Sequence, residues 1–337
     1  MSSKELPKIV TIGGGTGTFV ALSGLKEYPV DISAIVSMSD SGGSTGRLRD
    51  QLGVLPPGDL RQALVALSES EEIWRKLFTF RFGTGDLEGH NFGNLFISAL
   101  EMITGSNKEA VEYAMRLLQT KGHVIPVTFS DCRLCAKYEN GKVVVGESEI
   151  EENKHPDSKI SEIYLSPKAL MNLEAKKALE RADYIIIGPG DLHTSIISNL
   201  AVDGICHVLK GVSAKKIFVI NLMTREGQTD KYKVSDFVDE ISKYIGENCL
   251  DCILINDRKP DSHLLDLYKR VDNVIQVEDD VRGNHYRKAK VIRGNLLARA
   301  VYKQSSADKL KRSLIRHDPG KLANALFDVI DKPRSLW

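Results

Sequence analysis

Gly13-Gly14-Gly15-Thr16-Gly17 stands between a β-branched run, Lys8 to Ile12, and an amphipathic stretch, Thr16 to Glu27. Glycines at a strand-to-helix junction let the backbone approach a phosphate, and the helix start offers N–H groups and a positive dipole end. The spacing therefore predicts an anion site, although the same glycines would serve a tight turn that needs only backbone freedom. The run is not a dinucleotide fingerprint, because Thr18 stands in place of the third glycine. Nor is it a P-loop, because no Gly-Lys-Ser or Gly-Lys-Thr follows.

A second strand, Asp31 to Ser37, leads into Asp40-Ser41-Gly42-Gly43-Ser44-Thr45-Gly46. Asp40 is placed to hold a magnesium ion that bridges phosphates, or alternatively a ribose hydroxyl. Ser41, Gly42 and Gly43 offer small side chains and amides. Arg47 and Arg49 could neutralise a diphosphate, or could simply be surface arginines beside a capped loop. In Pro56-Pro57-Gly58-Asp59-Leu60-Arg61, Asp59 reads as a helix N-cap, with Arg61 in the first turn, where a cation is unfavourable unless an anion is near. His90, Asn91 and Asn94 open an apolar helix and could orient a sugar or base, or could cap the helix beside a partly buried histidine. Gly188-Pro189-Gly190-Asp191 makes a further strand-to-helix loop, followed by Thr194-Ser195. Asn221, Thr224 and Thr229 follow another strand.

The elements that must position these residues alternate. Helices are predicted over Leu60 to Leu67, Ile73 to Phe80, Asn91 to Ile103 and Lys108 to Leu118. A β excursion over 121–165 follows, with the hairpin turn Asn140-Gly141 at its centre. The rhythm then resumes: a helix over Pro167 to Arg181, strands at Tyr184 to Ile187, Lys216 to Asn221 and Cys252 to Ile255, and helices around Thr194 to Leu209 and Val234 to Ile245. Asp279 to Lys303 is basic and ambiguous, and a terminal helix is expected within 310–337, beginning at Asp318-Pro319. The class is α/β, a parallel sheet with helices on both faces, whose ligand crevice lies at the carboxyl ends of the strands.

With 337 residues, one large domain or two is open. Forty-six Lys plus Arg against 45 Asp plus Glu give a net charge of +1, which argues against a nucleic-acid binder. No apolar run is long enough to cross a bilayer, and Met1 to Lys8 has no apolar leader, so a cytoplasmic location is expected. Five cysteines fit a reducing compartment; the pairs Cys132/Cys135 and Cys249/Cys252 read as apolar packing rather than a four-thiolate zinc site, since in the hairpin reading Cys132 and Cys135, three apart on a strand, face opposite sides.

Taken in order, Gly13 to Gly17, Asp40 to Arg49, Pro56 to Arg61, Gly89 to Asn94 and Gly188 to Ser195 resemble the CofD-like superfamily, and within it the YvcK branch, the gluconeogenesis factors. The resemblance runs from about Lys8 to Arg316 and implies a single Rossmann-like nucleotide-binding domain over 1–337. For that branch it implies binding of UDP-N-acetylglucosamine and a role in cell shape and wall-precursor supply on gluconeogenic carbon sources. For CofD it implies magnesium-dependent transfer of a phospholactyl or phosphoenolpyruvyl phosphate from a guanylated donor, with Asp40 as the catalytic metal acid. Carried over, ligand contacts fall on Gly13 to Gly17, Asn94, Gly188, Asn221, Thr224 and Arg316. Two positions depart from the usual branch pattern: Ser41 replaces a second acid, and Gly190-Asp191-Leu192-His193 replaces Gly-Ser-Leu-Tyr. A regulator that responds to a nucleotide sugar by changing its association with a partner protein, a transferase, and an NAD enzyme remain distinct expectations, with UDP-sugar, GDP or NAD as the ligand and a homodimer as the assembly.

Overall fold

The computed structural model describes residues 5–153, 158–272, 274–299 and 314–330. Strand β1 (Lys8–Gly13), helix α1 (Gly15–Leu25) and β2 (Asp31–Val36) open the chain. Helices α2 (Gly43–Leu52), α3 (Gly58–Leu67), α4 (Glu72–Thr79), α5 (Phe92–Thr104) and α6 (Asn107–Leu118) lead to β3 (His123–Pro126). Then come β4 (Arg133–Tyr138), β5 (Val143–Val145), α7 (Glu147–Glu152), β6 (Ile160–Ser166), α8 (Leu173–Arg181) and β7 (Tyr184–Ile187). A π-helical turn (Leu192–Ile197), α9 (Ser198–Leu200), α10 (Ile205–Gly211), β8 (Lys215–Val219) and α11 (Val234–Ile245) follow. The last elements are β9 (Cys252–Asn256), α12 (Ser262–Asp272), β10 (His285–Tyr286), β11 (Ala289–Gly294) and α13 (Pro319–Ile330).

The main sheet runs β10-β11-β9-β8-β7-β1-β2-β3, and every pairing is parallel except β10 with β11. The chain starts at its centre, builds outward through β2 and β3, then returns to β7 on the other side of β1. The gap between β1 and β7 is therefore the topological switch point, where α/β sheets open a crevice at the strands' carboxyl ends. Strands such as Tyr184–Ile187 are buried at every residue, as strands covered on both faces must be. On one face, α1, α3, α6 and α13 bury Leu22, Leu64, Leu118 and Leu326. On the other, α8, α11 and the small antiparallel sheet β5-β4-β6 bury Leu179, Phe237 and Leu134.

Several boundaries differ from those the sequence predicts. His123–Pro126, at the start of the expected β excursion, is the edge strand of the main sheet; the small sheet occupies Arg133–Ser166. The helix expected from Pro167 begins at Leu173, capped by the Asn172 side chain, which accepts from the Glu174 amide at 3.0 Å. Asp279 to Lys303 contains β10 and β11; β11 alternates in burial and adds a strand to β9. The terminal helix is described over Pro319–Ile330, and the rest of 310–337 beyond Leu314 to Ile330 lies outside the described residues.

Candidate functional site

Two glycine loops meet at the switch point. Gly14 caps α1 with no side-chain bond, and Gly15 to Gly17 form the first turn, so the predicted loop is mostly helix N-terminus. The first-turn amides of an α-helix have no partner within it. Gly15 has φ +62° and Gly188 φ +72°, backbone that a side chain would strain. A Cβ on Gly17 would run into the Pro189 carbonyl and approach the Gly190 amide to 2.8 Å, and Gly190 lies against the Gly14 carbonyl. The Gly13 to Gly17 and Gly188 to Gly190 segments thus form one surface. Asn199 ties it from below, donating to the carbonyls of Gly13 (3.2 Å) and Ser195 (2.8 Å). Asn221 extends it, donating to the Gly190 carbonyl at 2.7 Å, while its buried Oδ1 accepts no hydrogen bond.

The second loop is shorter than predicted. Gly42 caps α2 and Gly43 starts it, so Ser44, Thr45 and Gly46 are helical and buried. Asp40 accepts from the Gly42 amide at 2.9 Å. Its carboxylate lies where a Cβ on Gly58 would fall, so the first turn of α3 packs directly on it. From that turn Asp59, 6% exposed, accepts from the Gly15 amide at 2.7 Å. Burial, and then the Asp40 charge, push Asp59 up to about 7 against the pull of that amide.

Other predicted residues buttress these loops. Arg61 is buried and donates to Asn94 Oδ1 (2.8 Å) and to the Phe78 carbonyl (3.1 Å). Asn94 passes the link on to Thr45 Oγ1 at 3.2 Å. Asn91 is the N-cap of α5, accepting from the Asn94 amide (3.1 Å) and donating to the Phe80 carbonyl (2.9 Å). His90 meets Ser44 Oγ at 3.2 Å, and burial, with Arg47 and Arg81 nearby, lowers its pKa. Arg47 reaches the Glu88 carbonyl on the exposed side at 2.8 Å, and Arg49 is tied to Asp131 and the Cys132 carbonyl. Thr224 exchanges two bonds with the Ile275 backbone, 2.8 and 3.1 Å. Arg316 precedes His317, which bonds to the Ile220 backbone next to Asn221, so the chain's far end does return to this rim.

Four residues of the crevice were not assigned a role from sequence: Glu147, Glu151, Arg225 and Gln228. Glu147 Oε2 accepts from the Ser41 amide at 3.1 Å, and Ser148 bonds Ser41 through both its amide and its hydroxyl, each at 3.0 Å. Glu151 pairs with Arg225 at 3.1 Å and accepts from Thr194 at 3.3 Å. Burial and then the Asp191 and Asp40 charges push Glu151 up to about 7, against Arg225; Glu147 is raised by burial and by Asp40, to which it is hydrogen-bonded. Arg225 is raised in turn, chiefly by Asp191. Both polar atoms of the Gln228 amide are buried without a hydrogen-bond partner. Nothing local announces α7 as part of the site, because Glu147 and Ser41 are 106 residues apart.

Among the described residues no three His, Cys, Asp or Glu side chains form a ready metal cage. Magnesium commonly takes one or two carboxylates and completes its shell with phosphate oxygens and water. Asp40 is a hard oxygen donor of the kind such an ion takes, and its Oδ1 accepts from the Gly42 amide at 2.9 Å.

Residues 9–297 match the family model described as 2-phospho-L-lactate transferase CofD. A relative from Thermotoga maritima is 41% identical over 96% of this chain and 98% of its own length. The Bacillus subtilis "Gluconeogenesis factor" is 38% identical over 97% of this chain and 99% of its own. The crystal structure of a UPF0052 family member from Bacillus halodurans superposes with a TM-score of 0.88 at 34% identity, covering 96% of this chain and 100% of that one.

Proposed function

Since the chain belongs to the CofD family and is similar throughout its length to gluconeogenesis factors, we propose that it binds a nucleoside diphosphate sugar of the UDP-N-acetylglucosamine type in the crevice between β1 and β7. The observation that carries this reading is the joined glycine surface. The α1 N-terminus and the Gly188 to Gly190 loop touch where a Cβ on Gly17 would fall, a glycine wall at a helix start on which Asp59 holds the Gly15 amide. Such a wall suits a diphosphate, which takes its bonds from amides and the helix dipole. Asn221, with an orphaned buried oxygen, and Gln228 supply the donors and acceptors that a sugar or base requires.

The similarity to gluconeogenesis factors over nearly the whole chain favours a regulator in which ligand binding changes association with partner proteins. The family-model match keeps a second reading in play: transfer from a guanylated donor, with Asp40 holding magnesium on the diphosphate. Calorimetric titration with UDP-N-acetylglucosamine, GDP and NAD, each with and without magnesium, separates the two. Micromolar binding of the UDP sugar supports the regulator, and a magnesium-dependent preference for GDP supports the transferase. Preference for NAD would sink both.

A further inference from the structure

Helix α7 meets the β2–α2 loop through Glu147 and Ser148, and meets Thr194 and Arg225 through Glu151. Glu147 sits on the Ser41 amide at the mouth of the β2–α2 loop, 3.1 Å away. Ser148 holds the same residue by two further bonds. One helical turn later Glu151 occupies Arg225 at 3.1 Å and the Thr194 hydroxyl at 3.3 Å. The amide, the guanidinium and the hydroxyl are the kinds of donor that a phosphate group seeks, and here two carboxylates of the same chain take them. The helix leaves the small sheet at Gly146, φ +107°, and is anchored behind by Ile150, fully buried in the core shared with β4 and β6. Glu147 and Glu151 are half-buried, and Asp40, Asp59 and Asp191 lie among them with Arg225 as the cation that Glu151 engages.

We propose that α7 is an internal anion mimic: Glu147 and Glu151 hold, in the ligand-free chain, donors that the ligand's negative groups take on binding, so that entry requires both carboxylates to leave. The inference rests on the diphosphate reading above and adds the regulation of that site. Because α7 continues from β5 and leads towards β6, its release carries occupancy of the crevice to the three-stranded sheet. That gives a partner-facing surface a reason to differ between the free and bound forms, since a ligand shifts an equilibrium only through contacts that differ between its states.

The test titrates UDP into the unmodified chain, Glu147→Ala and Glu151→Ala at one alkaline pH, chosen because burial raises both carboxyls, without magnesium, and follows amide hydrogen exchange over residues 147–152 of the unmodified chain. The proposal expects each substitution to tighten UDP binding at least fivefold, and UDP to speed exchange across α7. If the unmodified chain binds UDP but the variants bind it equally or more weakly, or if exchange in α7 slows on binding, the mimic is overturned while the diphosphate site stands. If no form binds UDP or its N-acetylglucosamine ester, the diphosphate reading itself fails and takes this inference with it. Should an alanine variant not fold, Glu147→Gln and Glu151→Gln, which keep shape and drop charge, replace it under the same criteria, and the exchange readout needs no substitution.

Discussion

Adding one carbon at Gly17 would place it against the Pro189 carbonyl and 2.8 Å from the Gly190 amide, both backbone atoms that cannot rotate away. Overpacking of this kind costs about 1–3 kcal/mol, so Gly17→Ala should lower the urea midpoint accordingly and weaken diphosphate binding as well. A midpoint equal to that of the unmodified chain would mean that the two loops separate freely. His193 makes the opposite case. It is fully buried in the π-helical turn, and neither ring nitrogen has a hydrogen-bond partner. Burial holds its pKa down to about 3, below the ordinary 6.5. As pH falls below about 6.5 the unfolded chain takes up a proton that the folded chain refuses, so this residue removes stability with acidification, by about 1.4 kcal/mol per pH unit. His193→Leu should raise stability at pH 7 by about 1–3 kcal/mol, the cost of leaving buried polar atoms unmatched, and should flatten the acid limb of the stability profile. An unchanged acid limb in urea titrations between pH 6.5 and 4 would contradict that assignment.

At the scale of elements, α5 shows how residues predicted to touch a ligand can instead build the scaffold. Asn91 caps the helix and holds the Phe80 carbonyl, so Asn91→Ala should cost about 1–2 kcal/mol in chemical denaturation; a loss below a few tenths would argue that the cap is dispensable. Strands β1, β2, β7, β8 and β9, the first and third glycine loops and the Asn-Gly hairpin were legible because each rests on local signals, a β-branched run ending in a loop or a two-residue turn, whereas β3, β10 and β11 were not. The α2 helix was hidden by its own glycines, Gly43 and Gly46. Gly46 is needed because a Cβ there would meet the Ser41 carbonyl, a packing reason that sequence does not display. Arg61 was legible as an oddity at a helix start, but its partners, Asn94 and Phe78, lie 33 and 17 residues away. Glu147, Glu151 and Arg225 were out of reach for the same reason, since the small sheet that delivers α7 is placed by tertiary packing alone.

Across the whole molecule the carboxyl groups of the crevice tie stability to pH. Asp59 and Glu151 titrate near 7 when folded, against 3.8 and 4.5 otherwise, so the folded chain keeps protons that the unfolded chain releases. Their contribution is fully present below about pH 4 and is lost as pH rises through about 7. Asp59→Asn, which has no proton to release, should therefore melt with a shallower decline between pH 5 and 8, and an identical slope would remove Asp59 from this account. Magnesium, competing with those protons, should raise the melting temperature more at pH 8 than at pH 5.5, and an equal rise at both would argue against a carboxylate site. The central claim is one of place: a diphosphate on the wall shared by the α1 N-terminus and the Gly188 to Gly190 loop. The most direct measurement is a crystal structure with UDP-N-acetylglucosamine at saturating concentration. The account predicts the diphosphate against Gly15 to Gly17 with the sugar or base towards Asn221. A ligand seated instead in the 1090 Å³ groove between α6 and α8, lined by Lys108, Arg116 and Lys177, would contradict it.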